Sequence, residues 1–248
     1  MEKSNKQKFA QLLQLELNKI GVSLNARQAE KFDLLGESML ADPLYKSVSK
    51  IFEPSEIVMK HFLDSLVPLA FSLPCWENSK LILDLGTGGG FPMLPLAIMM
   101  PEARFIGVDS RLKSVEFVGR MANGTGLNNV SAKHSRIEEL GRDKKFREKA
   151  DLVICRALSA VRTLFEYCVP LVKNKGYALF YKGPKLEIEL KESESAMKEL
   201  GISKQQVILK ELQEEVFGFS RGYLLVNKLK SVPDLYPRKS GMPTAKPL

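Results

Sequence analysis

The sequence has no apolar stretch long enough to cross a membrane. Its longest run, FPMLPLAIMM at 91–100, is about half of the ~20 residues a spanning helix needs, and two prolines interrupt it. Cysteine is scarce. Cys75, Cys155 and Cys168 are odd in number, share no CxxC spacing and have no histidine cluster beside them, which argues against a disulfide framework and against a metal site. The N-terminal MEKSNKQKFAQLLQLELNKIGV mixes charges into a helical pattern and lacks the apolar core of a signal peptide, so a cytoplasmic protein is expected. Acid is in deficit: 29 Asp and Glu face 37 Lys and Arg, and the net charge of +8 favours a polyanionic partner such as nucleic acid. Low-complexity segments and internal repeats are missing too. With 44% hydrophobic residues in a chain of 248, a full core can be buried.

Over residues 5–73 apolar side chains recur at helical spacing: Phe9, Leu12, Leu13, Leu17 and Ile20, then Ala29, Phe32, Leu35 and Met39, then Ile57, Phe62 and Leu66. Three helices are expected, the last opening after Pro54 with Glu56 in its first turn. Pro74 and the polar stretch 77–80 mark a junction. Residues 1–75 are therefore read as a helical extension and 76–248 as the main domain. Beyond the junction, short β-like runs alternate with helical ones. Strands are expected at 81–85, 104–109, 130–135, 151–156 and 177–182, with helices at 94–100, 113–123 and 160–171. A charged helix with a solvated face is expected over 185–200, followed by strands at 205–212 and 223–229. Repeated βα units imply an α/β fold: a doubly wound, mostly parallel seven-stranded sheet with one antiparallel member in the last pair.

The most informative segment is LILDLGTGGGFP at 81–92. An apolar strand carries Asp84, a turn rich in glycine follows (Gly86, Gly88, Gly89, Gly90), and a helix opens near Pro92. In open α/β sheets this first strand-to-helix turn lies at the carboxyl edge, where ligands bind and glycine lets the backbone approach them. A phosphate-cradling P-loop would need Lys and Ser or Thr after Gly90, and a nicotinamide fingerprint would need glycine where Phe91 stands. The D-x-G-x-G pattern from Asp84 to Gly88 instead resembles the first motif of the class I, Rossmann-like methyltransferases. Their cofactor, S-adenosylmethionine, has no pyrophosphate, and a carboxylate near its ammonium is favourable.

Asp109 ends the second strand, about where adenosine-binding α/β folds place an acid for the ribose hydroxyls; its plainer role is to cap the next helix. HSRIEEL (134–140) follows the third strand, where Ile137 and Glu138 could supply an apolar wall and a polar group for adenine. Arg156 ends the fourth strand at the same edge and needs a partner, either a ligand or a structural carboxylate. His61, Asp64 and Ser65 fall within about one helical turn of each other. They cannot form a Ser-His-Asp relay, which draws on separate elements, so that segment is read as structural. His134 is read as a satisfied strand-end histidine. Between 220 and 248 six basic residues meet one acid, Asp234, which suits a phosphate-contacting surface or a solubilising tail.

In the order HFLDSL, DLGTGGGFP, VDS, SRIEEL, CRAL, YKG and YPRKSGMPTAKPL, the chain resembles the bacterial glucose-inhibited division protein B family of 16S ribosomal RNA guanine-N7 methyltransferases, from about His61 onward. The glycine-rich motif marks only the superfamily; HFLDSL together with the terminal YPR-x-x-G-x-P-x-x-x-PL is far more specific. The resemblance implies cofactor-binding roles for Gly86, Phe91, Ile137, Glu138 and Arg156, and RNA contacts from Arg136, Lys182, Arg238 and Lys239. It also implies a 16S rRNA or small-subunit partner, and a monomer is expected. Two stretches depart from the family pattern, YKSVSKIFEPSE at 45–56 and SRLKS at 110–114. No catalytic acid or base is identified. Guanine N7 already carries a lone pair, so positioning rather than proton removal would drive transfer. Two alternatives stay open at this point: a class I methyltransferase of a small molecule or protein, and a nucleic-acid-binding module that has lost catalysis.

Overall fold

The computed structural model describes residues 9–212, 214 and 218–248. The start expected for the first helix at residue 5 lies outside them. Seven strands form one sheet: β1 Leu81–Leu85, β2 Arg104–Asp109, β3 Val130–His134, β4 Ala150–Arg156, β5 Val172–Lys182, β6 Val207–Leu212 and β7 Arg221–Asn227, in the order β3-β2-β1-β4-β5-β7-β6. The first five pair in parallel, and β7 runs antiparallel between β5 and β6. The doubly wound fold expected from the sequence is present. β5 begins five residues before the expected start at 177. Its polar VKNK stretch reads as loop, yet Val172 pairs with Ala150 and the register slips before Leu152 meets Tyr177.

Parallel strands are covered on both faces and so are apolar almost throughout. Alternation within β1 sends Ile82 to one face and Leu83 and Leu85 to the other. On the Ile82 face lie α1 (Phe9–Asn18), α2 (Ala26–Ala41), α3 (Met93–Met99) and α4 (Leu112–Gly124). Leu13, Phe32 and Phe62 from the N-terminal region share one hydrophobic cluster with Phe105 and Phe117, so the helical extension is packed into the core of the sheet. Its α2 starts at Asn25, whose side chain accepts the Gln28 N–H while Gln28 reaches back to the Asn25 N–H, a reciprocal cap. On the opposite face lie α5 (Ile137–Arg142) and α6 (Val161–Cys168).

The third expected helix does open at Pro54, but it is not uniform. An α-turn (Pro54–Ile57) widens into a π-helix (Val58–Leu63) before α-geometry resumes at Asp64–Leu66. Such wide turns recur at functional sites. The charged helix expected over 185–200 is two short ones, Leu186–Lys191 and Glu194–Glu199. They break at the buried Ser193, whose hydroxyl donates to the Glu189 carbonyl at 2.6 Å and replaces a ladder bond. Among the described residues no helix is long and apolar enough to cross a membrane, and no cluster of His, Cys, Asp or Glu could hold a metal ion. All three cysteines are buried and unpaired.

Candidate functional site

The carboxyl edge of the sheet is organised by the turn after β1. The Gly86 and Thr87 N–H groups both donate to the Val108 carbonyl, at 2.8 and 3.1 Å, which ties the turn to β2. Gly86 takes φ +69°, and a Cβ there would lie 2.7 Å from Leu158 Cδ1; Gly90 takes φ +85°, with Leu94 Cδ1 only 2.4 Å away. Both positions therefore need glycine for reasons internal to the protein. Gly88 also has a positive φ, but a Cβ there would meet only ordinary van der Waals contacts, with Arg111 Nη2 at 3.6 Å and the Gly86 carbonyl at 3.8 Å.

Two carboxylates flank this turn. Asp84 is completely buried, its Oδ2 accepts the Thr87 hydroxyl at 2.7 Å, and its Oδ1 has no partner among the described residues. Burial raises its pKa from the usual carboxylate range to about 7. Asp109 ends β2 and accepts the Gly88 N–H on Oδ2 (2.9 Å) and the Arg111 N–H on Oδ1 (2.8 Å). It does not cap α4, whose N-cap is Arg111 without a side-chain bond. Asp109 thus stitches the second strand to the glycine turn while one edge of its carboxylate faces a cavity.

That cavity, about 380 Å³, brings together five of the residues singled out in the sequence: Gly86, Asp109, Arg136, Ile137 and Glu138. Glu138 is buried, and its Oε1 accepts the Gly241 N–H at 2.8 Å. Gly241 and Thr244 belong to the C-terminal segment, and both line the cavity. The Thr244 and Tyr167 hydroxyls are 2.9 Å apart, and Thr163 Oγ1 donates to the Pro243 carbonyl at 3.3 Å. The segment is anchored by Arg238. Its Nε and Nη2 donate to the fully buried Glu166 at 2.9 and 2.6 Å, and its backbone N–H donates to the same carboxylate at 2.8 Å. Arg238, expected to meet RNA, pairs its charge with a carboxylate inside the protein. Its neighbour Lys239 is exposed.

Phe91 and Arg156 do not line this cavity. Phe91 turns toward the N-terminal helices and stacks on His61, with ring centroids 4.3 Å apart and planes at 8°. Arg156 passes over the Phe91 ring at 5.5 Å and donates through Nη1 to Asp64 Oδ2 (2.7 Å) and the Lys60 carbonyl (3.1 Å). It lines a second, larger cavity of about 770 Å³, as does Lys182, whose ammonium donates to the Ser159 carbonyl at 2.9 Å and pairs with Glu189 at 2.8 Å. Glu189, on a helix expected to present a solvated face, is thereby drawn into this wall and also accepts the Val161 N–H at 2.9 Å. Ala157 lines both cavities and holds φ +54°, a strained value for a residue with a Cβ.

The HFLDSL segment makes no relay. His61 meets the Ser49 hydroxyl at 3.0 Å, and Ser65 Oγ donates to the His61 carbonyl at 2.5 Å. Burial, reinforced by the Arg156 charge, lowers the His61 pKa to about 3, so its ring is neutral at ordinary pH. Asp64 has the larger role: it is buried and receives Arg156 on one oxygen and Arg221 Nε on the other, at 2.7 Å each. Asp64, Arg221, Glu166 and Gly241 are the site residues the sequence reading missed. The available signals were a carboxylate in an otherwise apolar helical face and the glycine of the terminal motif. His134 is satisfied as expected, its Nε2 lying 2.9 Å from the Ser110 carbonyl.

The chain matches known proteins along most of its length. A family model described as rRNA small subunit methyltransferase G covers residues 46–217. Curated relatives named "Ribosomal RNA small subunit methyltransferase G" include one from Lactobacillus acidophilus, 36% identical over 237 residues, covering 94% of this chain and 97% of the relative. Another, from Brevibacillus brevis, is 35% identical over 243 residues, covering 98% of this chain and 99% of the relative. Among solved structures, a SAM-dependent methyltransferase from Aquifex aeolicus superposes with a TM-score of 0.51 at 21% identity, over 73% of this chain and 97% of that one, which speaks to the fold alone.

Proposed function

Because the chain belongs to the ribosomal RNA small subunit methyltransferase G family, we propose that it transfers a methyl group from S-adenosylmethionine to N7 of a guanine in 16S ribosomal RNA. The observation that carries this reading is the cavity at the carboxyl edge, which gathers Gly86 of the glycine turn, Asp109 and the Ile137–Glu138 pair in one place. Residues 1–75 serve as the helical cap and 76–248 as the cofactor-binding domain. The substrate is 16S rRNA, free or within the small subunit, and the enzyme works as a cytoplasmic monomer.

The residues present fit the cofactor. Asp84, beneath the glycine turn and outside the walls of both cavities, has an Oδ1 without a partner among the described residues, which is costly unless a donor such as a ligand ammonium satisfies it. The remaining acceptor capacity of Asp109 suits ribose hydroxyls, and Ile137 with Glu138 suits an adenine edge. Held by these residues, S-adenosylmethionine would supply an electrophilic methyl carried on a sulfonium, a group that an unprotonated nitrogen lone pair can accept. The protein needs no general base for this step, and neutral His61 offers no acid at ordinary pH. What the chain supplies is orientation: Ala157, shared by the two cavities, is where a cofactor on one side and a base on the other would meet. Because N7 lies in the deep groove of A-form RNA, the target guanine must be unpaired or extruded.

The test is mass-spectrometric mapping of 7-methylguanosine in 16S rRNA from cells with and without the gene, together with titration of the purified protein with S-adenosylmethionine. A modification pattern indifferent to the gene, or a protein that does not bind the cofactor, sinks the proposal.

A further inference from the structure

The larger cavity, beyond Ala157, is built on an ion network. Asp64, 2% exposed, grips Arg156 and Arg221 at 2.7 Å each. Further N–H groups of the two arginines go to the Lys60 and Ser220 carbonyls, at 3.1 and 3.3 Å. Among the described residues neither Nη2 has a hydrogen-bond partner. Both arginines line the cavity of about 770 Å³, so side chains tethered by a buried carboxylate border an open space. Arg221, with 32% of its side chain exposed against 15% for Arg156, is the more available of the two. The Phe219 ring lies 5.1 Å from the Arg221 guanidinium, and Ile51 and Met59 add further apolar wall.

An occupant of this cavity must be flat enough to stack on an aromatic ring, must present an acceptor edge to arginine, and must reach the cofactor side at Ala157. A purine base meets all three conditions. Guanine shows two acceptors, O6 and N7, where adenine replaces O6 with an amino donor that arginine rejects. The methyl-accepting N7 has to stay bare, so O6 is the acceptor left for a guanidinium. We propose that this cavity receives the extruded target guanosine and that Arg221 reads its O6 while Phe219 supports the base. The inference rests on the reading of the protein as a 16S rRNA guanine-N7 methyltransferase and adds the place and the selectivity determinant of its substrate.

The experiment uses the full chain with S-adenosylmethionine and 16S rRNA, comparing wild type with Arg221→Met and Phe219→Ala. Formation of 7-methylguanosine is measured alongside cofactor affinity and the salt dependence of RNA binding. Both variants should lose at least about tenfold in kcat/KM for RNA, since a base contact and a stacking platform are each lost. Cofactor affinity should stay within about twofold, and the log–log salt slope should not move, because base contacts release no counterions. At saturating S-adenosylmethionine, which keeps adenosine out of the smaller cavity, guanosine monophosphate should inhibit the wild type better than adenosine monophosphate at equal concentration, and Arg221→Met should erase that preference. A slope reduced by about 0.7 in Arg221→Met would make Arg221 a phosphate contact and overturn the base reading. Unchanged kcat/KM in both variants overturns the cavity assignment. If Arg221→Met does not fold, Arg221→Lys and Phe219→Ala carry the comparison. A wild type that makes no 7-methylguanosine defeats the parent reading instead; direct binding of guanosine monophosphate to wild type and to Arg221→Met, by titration calorimetry, then decides the cavity alone, and equal affinities in the two proteins sink it.

Discussion

The two cavities on either side of Ala157 are built by opposite means. The smaller one is held together by backbone: Gly86 of the glycine turn lines it, the Gly88 and Gly241 N–H groups donate to the carboxylates of Asp109 and Glu138, and the C-terminal segment forms part of its wall. The larger one is made of long side chains, with two arginines held by one buried carboxylate that arrives from the helical extension. Backbone geometry gives a small site one shape and tolerates little change, whereas a side-chain network leaves room and donors for a bulky polar guest. The difference teaches that the segments outside the central sheet are not accessories: Ile51, Met59 and Asp64 line the larger cavity, and Gly241 and Thr244 line the smaller.

The contrast is most sharply tested at Asp64. Asp64→Ala leaves two part-buried arginines without their carboxylate and should cost roughly 3 kcal/mol or more of stability, read by denaturant unfolding. S-adenosylmethionine affinity in the folded fraction should change little. A loss under about 1 kcal/mol would mean that the network is no stronger than a surface pair.

Asp84 sharpens the other side. Its folded pKa, raised to about 7 from 3.8, means that the folded state holds a proton the unfolded chain releases. Its contribution to stability is present below about pH 4 and is lost as pH rises toward 7, with a slope of up to ~1.4 kcal/mol per pH unit. Asp84→Asn should abolish that component, making the free protein more stable than wild type at pH 8 while weakening cofactor binding. Equal pH profiles for wild type and variant would remove Asp84 from the account.

Next in size are the contacts within the smaller cavity. Asp109→Ala should weaken cofactor binding by about ten- to a hundredfold, or about 1.5–3 kcal/mol, through loss of charge-assisted hydrogen bonds. Glu166→Gln, which removes the charge that anchors Arg238 and with it the strap, should likewise weaken the cofactor while leaving the RNA salt slope alone. If instead Glu166→Gln alters only RNA binding, the strap belongs to the RNA surface. The smallest effect should come from exposed Lys239: Lys239→Ala should flatten the salt slope by about 0.7–0.9 if it meets a phosphate, with cofactor affinity untouched. The same measurement on Arg238→Ala should give the reverse pattern.

Local chemistry was legible in the sequence, and partnership across the chain was not. Asp84, Gly86, Gly88 and Gly90 could be placed at the carboxyl edge of the sheet because a strand, a glycine turn and a helix within about a dozen residues leave little freedom. Periodicity likewise located all seven strands, since alternation and apolar runs are written in neighbouring residues. The miss at β5 has the same origin: polar residues that pair at one end of a sheet carry no apolar signal. Only the tertiary structure decided which charges meet. Arg156 finds Asp64 across 92 residues, Arg221 finds the same carboxylate across 157, and Arg238 finds Glu166 across 72. A guanidinium in a sequence is equally suited to a phosphate, a ligand or a buried carboxylate. Which it takes depends on the desolvation that only folding imposes, and for Arg238 the buried Glu166 was the partner that folding supplied.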